Sequence, residues 1–385
     1  MPCYHPMLAR PQSISANTGK VQYKFIGQLQ SVGELSEVVQ LGDGNYYPMK
    51  ALPCGKCIGC RLDYSREWST RCALELLDYD INECYFVTLT YDEDHCPLRL
   101  YPSVIPEDLE SWYIDNFFNG AEYDSDLFGG IQTYKRADVD LLKEFGVTFA
   151  TSRSLEPEHL TKFVKDLRRY QEYHYRKQFR FFACGEYGTK SQRPHYHMII
   201  YGLKLQKPSP DTWRKQMNGY VLFESKELEK VWKRGNVIVG SVTYQSISYV
   251  ARYMLKKQKG LDATFYRTFN LAPEFSRMSR MPGLGSKYYR DHVDDIYEYD
   301  QINISLQDRG LSCKPPRYFD DLASEEFPDM MEQIKVERED ASINAMISKE
   351  MVSGLDIAEI LAQAELIRKS KTKILQKRGK ADEAY

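Results

Sequence analysis

The chain has 385 residues and a formal net charge of −2, with 42% hydrophobic and 13% aromatic residues. That apolar content excludes global disorder, and the length allows two or three units around separate cores. No apolar run approaches a membrane span, and the first residues lack a secretory-signal pattern.

Residues 1–80 show little regular periodicity before "DYSREWSTRCALELLDY", which reads as a helix. Within them, "LPCGKCIGCR" places Cys54, Cys57 and Cys60 at three-residue spacing. Two residues between thiolates are typical of zinc and iron–sulfur knuckles, and the glycines permit the tight turn. A fourth ligand is needed: Cys3 is the first candidate, His5 the next, with Cys72 and Cys84 as further options. Nine cysteines in all, three of them clustered, suit metal binding in a reducing compartment better than a disulfide framework. A structural Zn²⁺ would clamp this region. A [4Fe–4S] centre could use the same thiolates, but nothing else in the chain suggests electron transfer.

The run "CYFVTLTY" (84–91) reads as a buried strand. Residues 92–150 are acidic and read as an insertion outside the core; between Asp92 and Asp126 ten acidic residues face only Arg99. "EPEHLTKFVKDLRRYQEYHYRK" has a helical apolar face at Leu160, Phe163, Val164 and Leu167, with Ser154 as a candidate cap and Pro157 early in the helix. "QFRFFACGEYG" (178–188) and "RPHYHMIIYG" (193–202) read as antiparallel strands. Helices near 211–218 and 225–232, a strand at 236–244 and a helix at 245–258 follow. "KPPRYFDDL" reads as a linker, and 322–380 as charged helix. The expected organisation is a cysteine-rich region (1–80), a sheet core (81–300) and a helical extension (301–385).

Charge is unevenly placed. Residues 151–260 hold 22 Lys and Arg against nine Asp and Glu, so the rest of the chain carries −15. A basic segment inside an acidic chain is the footprint of a phosphate-binding surface, although a solvated helix face would also be charged. "SRMSRMPGLGSKYYR" (276–290) adds Arg277 and Arg280 around glycines. It reads as a backbone-hugging DNA contact or as an ordinary basic loop, and it lacks the Gly-Lys-Ser/Thr ending of a P-loop, which argues against a built-in helicase.

The chemistry concentrates in two places. On a strand, His195 and His197 point to one face, and Glu186 at the end of the preceding strand can join them. Such mixed ligation suits Mg²⁺, Mn²⁺ or Zn²⁺ with positions left open for a phosphate. On the helix at 245–258, Tyr249 and Tyr253 lie one turn apart, with Lys256 near the same face and Lys257 behind it. A tyrosine hydroxyl, with a pKa near 10, attacks only when a nearby cation eases its ionisation.

The order of these parts, from "FVTLTY" through Glu186 and His195-Tyr196-His197 to Tyr249-x3-Tyr253-x2-Lys256, resembles the HUH endonuclease superfamily. Over roughly 84–260 it is most similar to replication initiator proteins of the Microviridae, in their gokushovirus branch. "MPCYHP", "LPCGKCIGCRLDYSREW" and "MSRMPGLGSKYY" also resemble that branch. The resemblance implies an α+β fold with a central antiparallel, RRM-like sheet and flanking helices. It implies His195 and His197 as ligands of Mg²⁺ or Mn²⁺, Glu186 as the third ligand, and Tyr249 and Tyr253 as nucleophiles. Lys256 would steady phenolate or leaving oxygen, and Arg193, Arg252, Lys257, Arg277 and Arg280 would contact DNA. The implied activity is nicking and joining of single-stranded origin DNA in rolling-circle replication, in the cytoplasm of a bacterial host, with host helicase and polymerase as partners. The competing readings are a plasmid or transposon relaxase or transposase, and a non-catalytic zinc-containing regulator that binds nucleic acid.

Overall fold

The β-branched and aromatic runs of the middle of the chain form β1 (Cys84–Thr90), β2 (Arg180–Tyr187), β3 (Pro194–Tyr201), β4 (Trp213–Met217), β5 (Tyr220–Glu224), β6 (Val237–Ser241) and β7 (Phe275–Met278). They pair into one seven-stranded sheet in the order β4-β5-β6-β1-β3-β2-β7, with every neighbour antiparallel. The computed structural model describes residues 3–17, 19–106, 136–188, 191–206, 213–217, 220–253, 264–305 and 310–382. Two compact units emerge, Trp68–Asp291 around this sheet and Met1–Glu67 joined with His292–Tyr385.

Alternation along β3 explains why both sheet faces are covered. Tyr196, Met198 and Ile200 point to one face, where they meet Leu160, Phe163, Val164 and Leu167 of α2 (Pro157–Tyr175) and Leu228 and Trp232 of α3 (Lys226–Trp232). Each of those α2 side chains contributes about 1.5–3 kcal/mol by leaving water. Ile199 and Tyr201 point the other way, to Trp68, Cys72 and Ala73 of α1 (Ile58–Leu76) and to Ile247, Val250 and Ala251 of α4 (Tyr244–Arg252). Gly235 lets the chain turn into β6 at the end of β1. Its φ is +136°, and a Cβ there would stand 2.4 Å from the Thr90 carbonyl oxygen and the Asp92 nitrogen.

In the other unit, Met7–Ile14, Val21–Gln28 and Lys50–Leu52 form a three-stranded antiparallel sheet. Helices Arg317–Glu326, Pro328–Ser353 and Ile357–Asp382 belong to the same unit. Leu8, Leu29, Val32 and Met49 share a core with Met346, Ile357 and Leu361. Segments from the two chain ends therefore bury one another's apolar faces.

Several sequence expectations change. Residues 213–217 are an edge strand paired to β5, where a helix is expected at 211–218. The N-terminal region carries strands despite its weak periodicity; Val21–Gln28 stays largely exposed, Phe25 and Ile26 included, and is held by pairing with Met7–Ile14. "KPPRYFDDL" runs into the Arg317–Glu326 helix instead of remaining a linker. Ser154 is not the cap of α2. The N-cap is Glu156, which makes no side-chain capping bond. Fully buried Tyr196 takes over: its hydroxyl donates to the Glu156 carbonyl at 2.8 Å and accepts from the Glu156 amide at 2.9 Å. In the acidic insertion, Leu98–Val104 pairs with Thr148–Arg153, and 107–135 lie outside the described residues. No helix among the described residues is long and apolar enough to cross a membrane.

Candidate active site and metal centre

Register sets the first half of the site. His195 stands opposite Glu186 of β2 and Thr90 of β1, and His197 stands opposite Cys184 and Thr88. The two imidazoles thus share the face that carries Glu186. His197 Nε2 lies 2.9 Å from Glu186 Oε1, and its Nδ1 lies 3.0 Å from Thr88 Oγ1. His195 Nδ1 donates to the Arg193 carbonyl at 2.7 Å, which turns Nε2 into the acceptor side of the ring. Burial, helped by His197, lowers the His195 pKa, so the ring is neutral at neutral pH, as a ligand must be.

The second half comes from α4. Thr243 caps this helix reciprocally with Ser246: Thr243 Oγ1 accepts from the Ser246 amide at 3.1 Å, and Ser246 Oγ accepts from the Thr243 amide at 2.9 Å. With Ile247, Val250 and Ala251 anchored on the sheet, the helix delivers Tyr249 and its C-cap residue Tyr253 onto the histidine face. The Tyr253 ring stacks on His197 at 4.6 Å and 3°, and the Tyr249 ring lies 4.7 Å from Tyr253 and 5.8 Å from His197. Tyr253 is only 3% exposed, whereas Tyr249 is half-buried. Burial first, then the Glu186 carboxylate and Tyr249, hold the Tyr253 hydroxyl far above the ordinary tyrosine range.

The donor set fits a divalent cation in part. Two ligand atoms held at right angles about 2.1 Å from one ion are about 3 Å apart, close to the Glu186–His197 separation. The ring of His195 is parallel to that of His197 and 6.4 Å away. Among the described residues, these three do not make a group with all donor atoms within 4.8 Å. Of the remaining site residues expected from sequence, Lys256 and Lys257 lie outside the described residues. Arg193 is in an ion pair with Glu93 at 2.9 Å. Arg252 is exposed at the end of α4; Arg277 lies in β7 and Arg280 just after it, near enough for the charge of one to act on the other.

The cysteines do form a compact group. The Sγ atoms of Cys3, Cys54, Cys57 and Cys60 all lie within 4.8 Å of one another. A tetrahedral zinc with bonds of about 2.3 Å sets sulfurs about 3.8 Å apart, and Cys3 and Cys57 stand at 3.9 Å. Backbone amides turn toward the sulfurs: Cys54 N donates to Cys3 Sγ, and Tyr4 N to Cys57 Sγ, both at 3.3 Å. Burial raises the Cys57 thiol, but the amides of Cys60 and Tyr4 and the neighbouring thiols outweigh it and bring its pKa to about 7. Burial pushes Cys3 strongly up and Cys60 up to about 11. A divalent cation is what allows four crowded thiols to ionise together. This cluster could hold a metal such as zinc. His5 is instead 3.0 Å from Glu365, and Cys72 and Cys84 are buried beside the sheet. Metal analysis of the purified protein is expected to find one zinc per chain, absent from Cys57→Ser; iron with acid-labile sulfide would reject the assignment.

On one face of the sheet, within one α+β unit, the histidine pair meets Tyr253, stacked on His197, and Tyr249, edge-on to both rings. The family described as "Replication-associated protein ORF2/G2P" matches residues 145–258, a span that holds β2, β3, β6 and α4. Replication-associated protein ORF2 of Spiroplasma virus 4 is 31% identical over 328 residues, covering 83% of each chain. Replication-associated protein ORF4 of Chlamydia phage 1 is 27% identical over 309 residues, covering 78% of this chain and 60% of that relative. Replication-associated protein VP4 of Bdellovibrio phage phiMH2K is 27% identical over 285 residues, covering 72% and 69%. No solved structure matches. The chain belongs to the family of replication-associated proteins of the Microviridae.

Proposed function

We propose that the chain is a metal-dependent endonuclease and strand transferase of the HUH type, which nicks and rejoins single-stranded DNA at a phage replication origin. The observation that carries the reading is the stacking of Tyr253 on His197, with Tyr249 beside both and Glu186 in contact with His197. A divalent cation held by His195, His197 and Glu186 would polarise the scissile phosphate. A tyrosine oxygen bonds to phosphorus, the P–O3′ bond breaks, and the tyrosine proton ends on the departing 3′ oxygen. The products are a free 3′-OH, which a host polymerase can extend, and a 5′-phosphotyrosine. The energy of the broken phosphodiester is retained in that linkage, so rejoining needs no nucleotide cofactor.

A second tyrosine gives the cycle its closure. One tyrosine keeps the old 5′ end while the other cuts the regenerated origin, and the new 3′-OH then attacks the first phosphotyrosine to release a circle. Lys256 is assigned to steady the phenolate or the leaving oxygen, and a host helicase to open the duplex.

The test uses a 3′-labelled single-stranded origin oligonucleotide with Mg²⁺ or Mn²⁺. Label migrating with denatured protein, and absent after chelation, is the expected result. No label transfer at any divalent-metal concentration sinks the nuclease reading and favours a non-catalytic DNA-binding regulator.

A further inference from the structure

Away from the histidine face, an open groove of about 1520 Å³ runs between α2, the start of β2 and the segment after β7. Its lining carries eight Lys and Arg side chains and one acid, Glu172. A solvated helix face would explain Lys165, Arg168 and Arg169, which stand exposed on α2 opposite its buried Leu160–Leu167 side. It does not explain why Arg277 and Arg280, over a hundred residues further along the chain, converge on the same groove. Burial and Arg280 lower the Arg277 pKa, a crowding of like charge that a bound anion would relieve.

Some of this charge is already engaged. Arg180 pairs with buried Glu75 at 2.6 Å, and Lys177 with Glu83 at 3.1 Å. The contacts of Arg169 with Asp166 and of Arg176 with Glu172 are 3.8 Å long and exposed, and such pairs hold little energy. Arg168 lies 5.8 Å over the rings of Phe179 and Phe181. Tyr173 and Met281, 79% and 97% exposed, offer flat and flexible apolar surface on the groove wall. Basic side chains interleaved with an exposed aromatic ring are the parts of a single-strand track, where phosphates meet cations and a base stacks.

We infer that this groove is a second binding site for single-stranded DNA, distinct from the histidine–tyrosine face and holding the strand beyond the scissile phosphate. β2 links the two sites. It starts at Arg180 by the groove and reaches Glu186 six residues later, about 20 Å at 3.3 Å per residue. A strand of several nucleotides spans that distance round the β7 edge. The inference rests on the proposed function for the identity of the polyanion, and its test avoids cleavage altogether.

Full-length protein carrying Tyr249→Phe and Tyr253→Phe is titrated with labelled oligothymidylate of about 20 nucleotides, longer than most single-strand sites. Fluorescence anisotropy is read over a range of salt. Lys165→Ala with Arg169→Ala is expected to weaken binding about tenfold and to lower the log–log salt slope by about 1.4, which is about 0.7 per phosphate lost. Tyr173→Ala is expected to weaken it severalfold or more, and Glu172→Gln to tighten it. Thermal midpoints should be unchanged, since all four side chains are exposed. Unaltered affinity and slope in the Lys165/Arg169 variant overturn the site. Equal binding of a duplex of the same length, with Tyr173→Ala silent, overturns the single-strand assignment. Failure of wild-type protein to cleave origin DNA would remove the nuclease reading while leaving this binding result to stand or fall by itself.

Discussion

Tyr249→Phe with Tyr253→Phe is expected to abolish the covalent protein–DNA adduct, while each single substitution loses only part of the cycle. Phenylalanine keeps the rings, which lie 4.7 Å apart with that of Tyr253 4.6 Å from His197, so it removes the two hydroxyls and little else. Stability should change by about 1 kcal/mol or less per site. The two singles should differ. Tyr253 is 3% exposed and stacked flat on an imidazole, whereas Tyr249 is half-buried and reachable by a strand. Tyr249→Phe should therefore reduce the first cut more, and Tyr253→Phe should chiefly reduce joining. Label on the double variant would remove both tyrosines from the chemistry.

His197→Ala is expected to lower cleavage by at least about 100-fold and to destabilise the sheet unit by about 1–3 kcal/mol. The imidazole touches Glu186 at 2.9 Å, Thr88 at 3.0 Å and the Tyr253 ring, and Glu186 is only 4% exposed. A purely structural role predicts the stability loss with activity restored on cooling. A ligand role predicts loss that cooling does not recover, together with a higher divalent-cation requirement in His195→Ala, whose Nδ1 is tied to the Arg193 carbonyl. Metal dependence unchanged in both variants would overturn the ligand assignment.

The site was legible in sequence where it depends on short-range periodicity. Two-residue alternation puts His195 and His197 on one face, and a four-residue helical step brings Tyr249 next to Tyr253; the structure places them so. The cysteine spacing likewise pointed to a cluster, and Cys3 completes it. Strand alternation alone puts Tyr196 on the opposite face from the histidines, among packing residues. Its hydroxyl instead caps α2 through Glu156, a bond over 40 residues of sequence that no local pattern carries.

Other features depended on which segments meet. The edge strand at 213–217 owes its state to pairing with β5, and the N-terminal strands owe theirs to a core shared with helices over 300 residues away. Arg193, expected to contact DNA, has Glu93 2.9 Å away, a neighbour that no local pattern names. By itself, the sequence determined the chemistry available: a His-x-His strand, a tyrosine pair, a cysteine cluster and a basic middle, because each is set by spacing within one element. Only the tertiary structure decided how His197 meets Glu186 and Tyr253, which cysteine completes the thiol cluster, and that distant arginines share a groove with α2. Those contacts are fixed by strand register and by burial, which act between elements far apart in the chain.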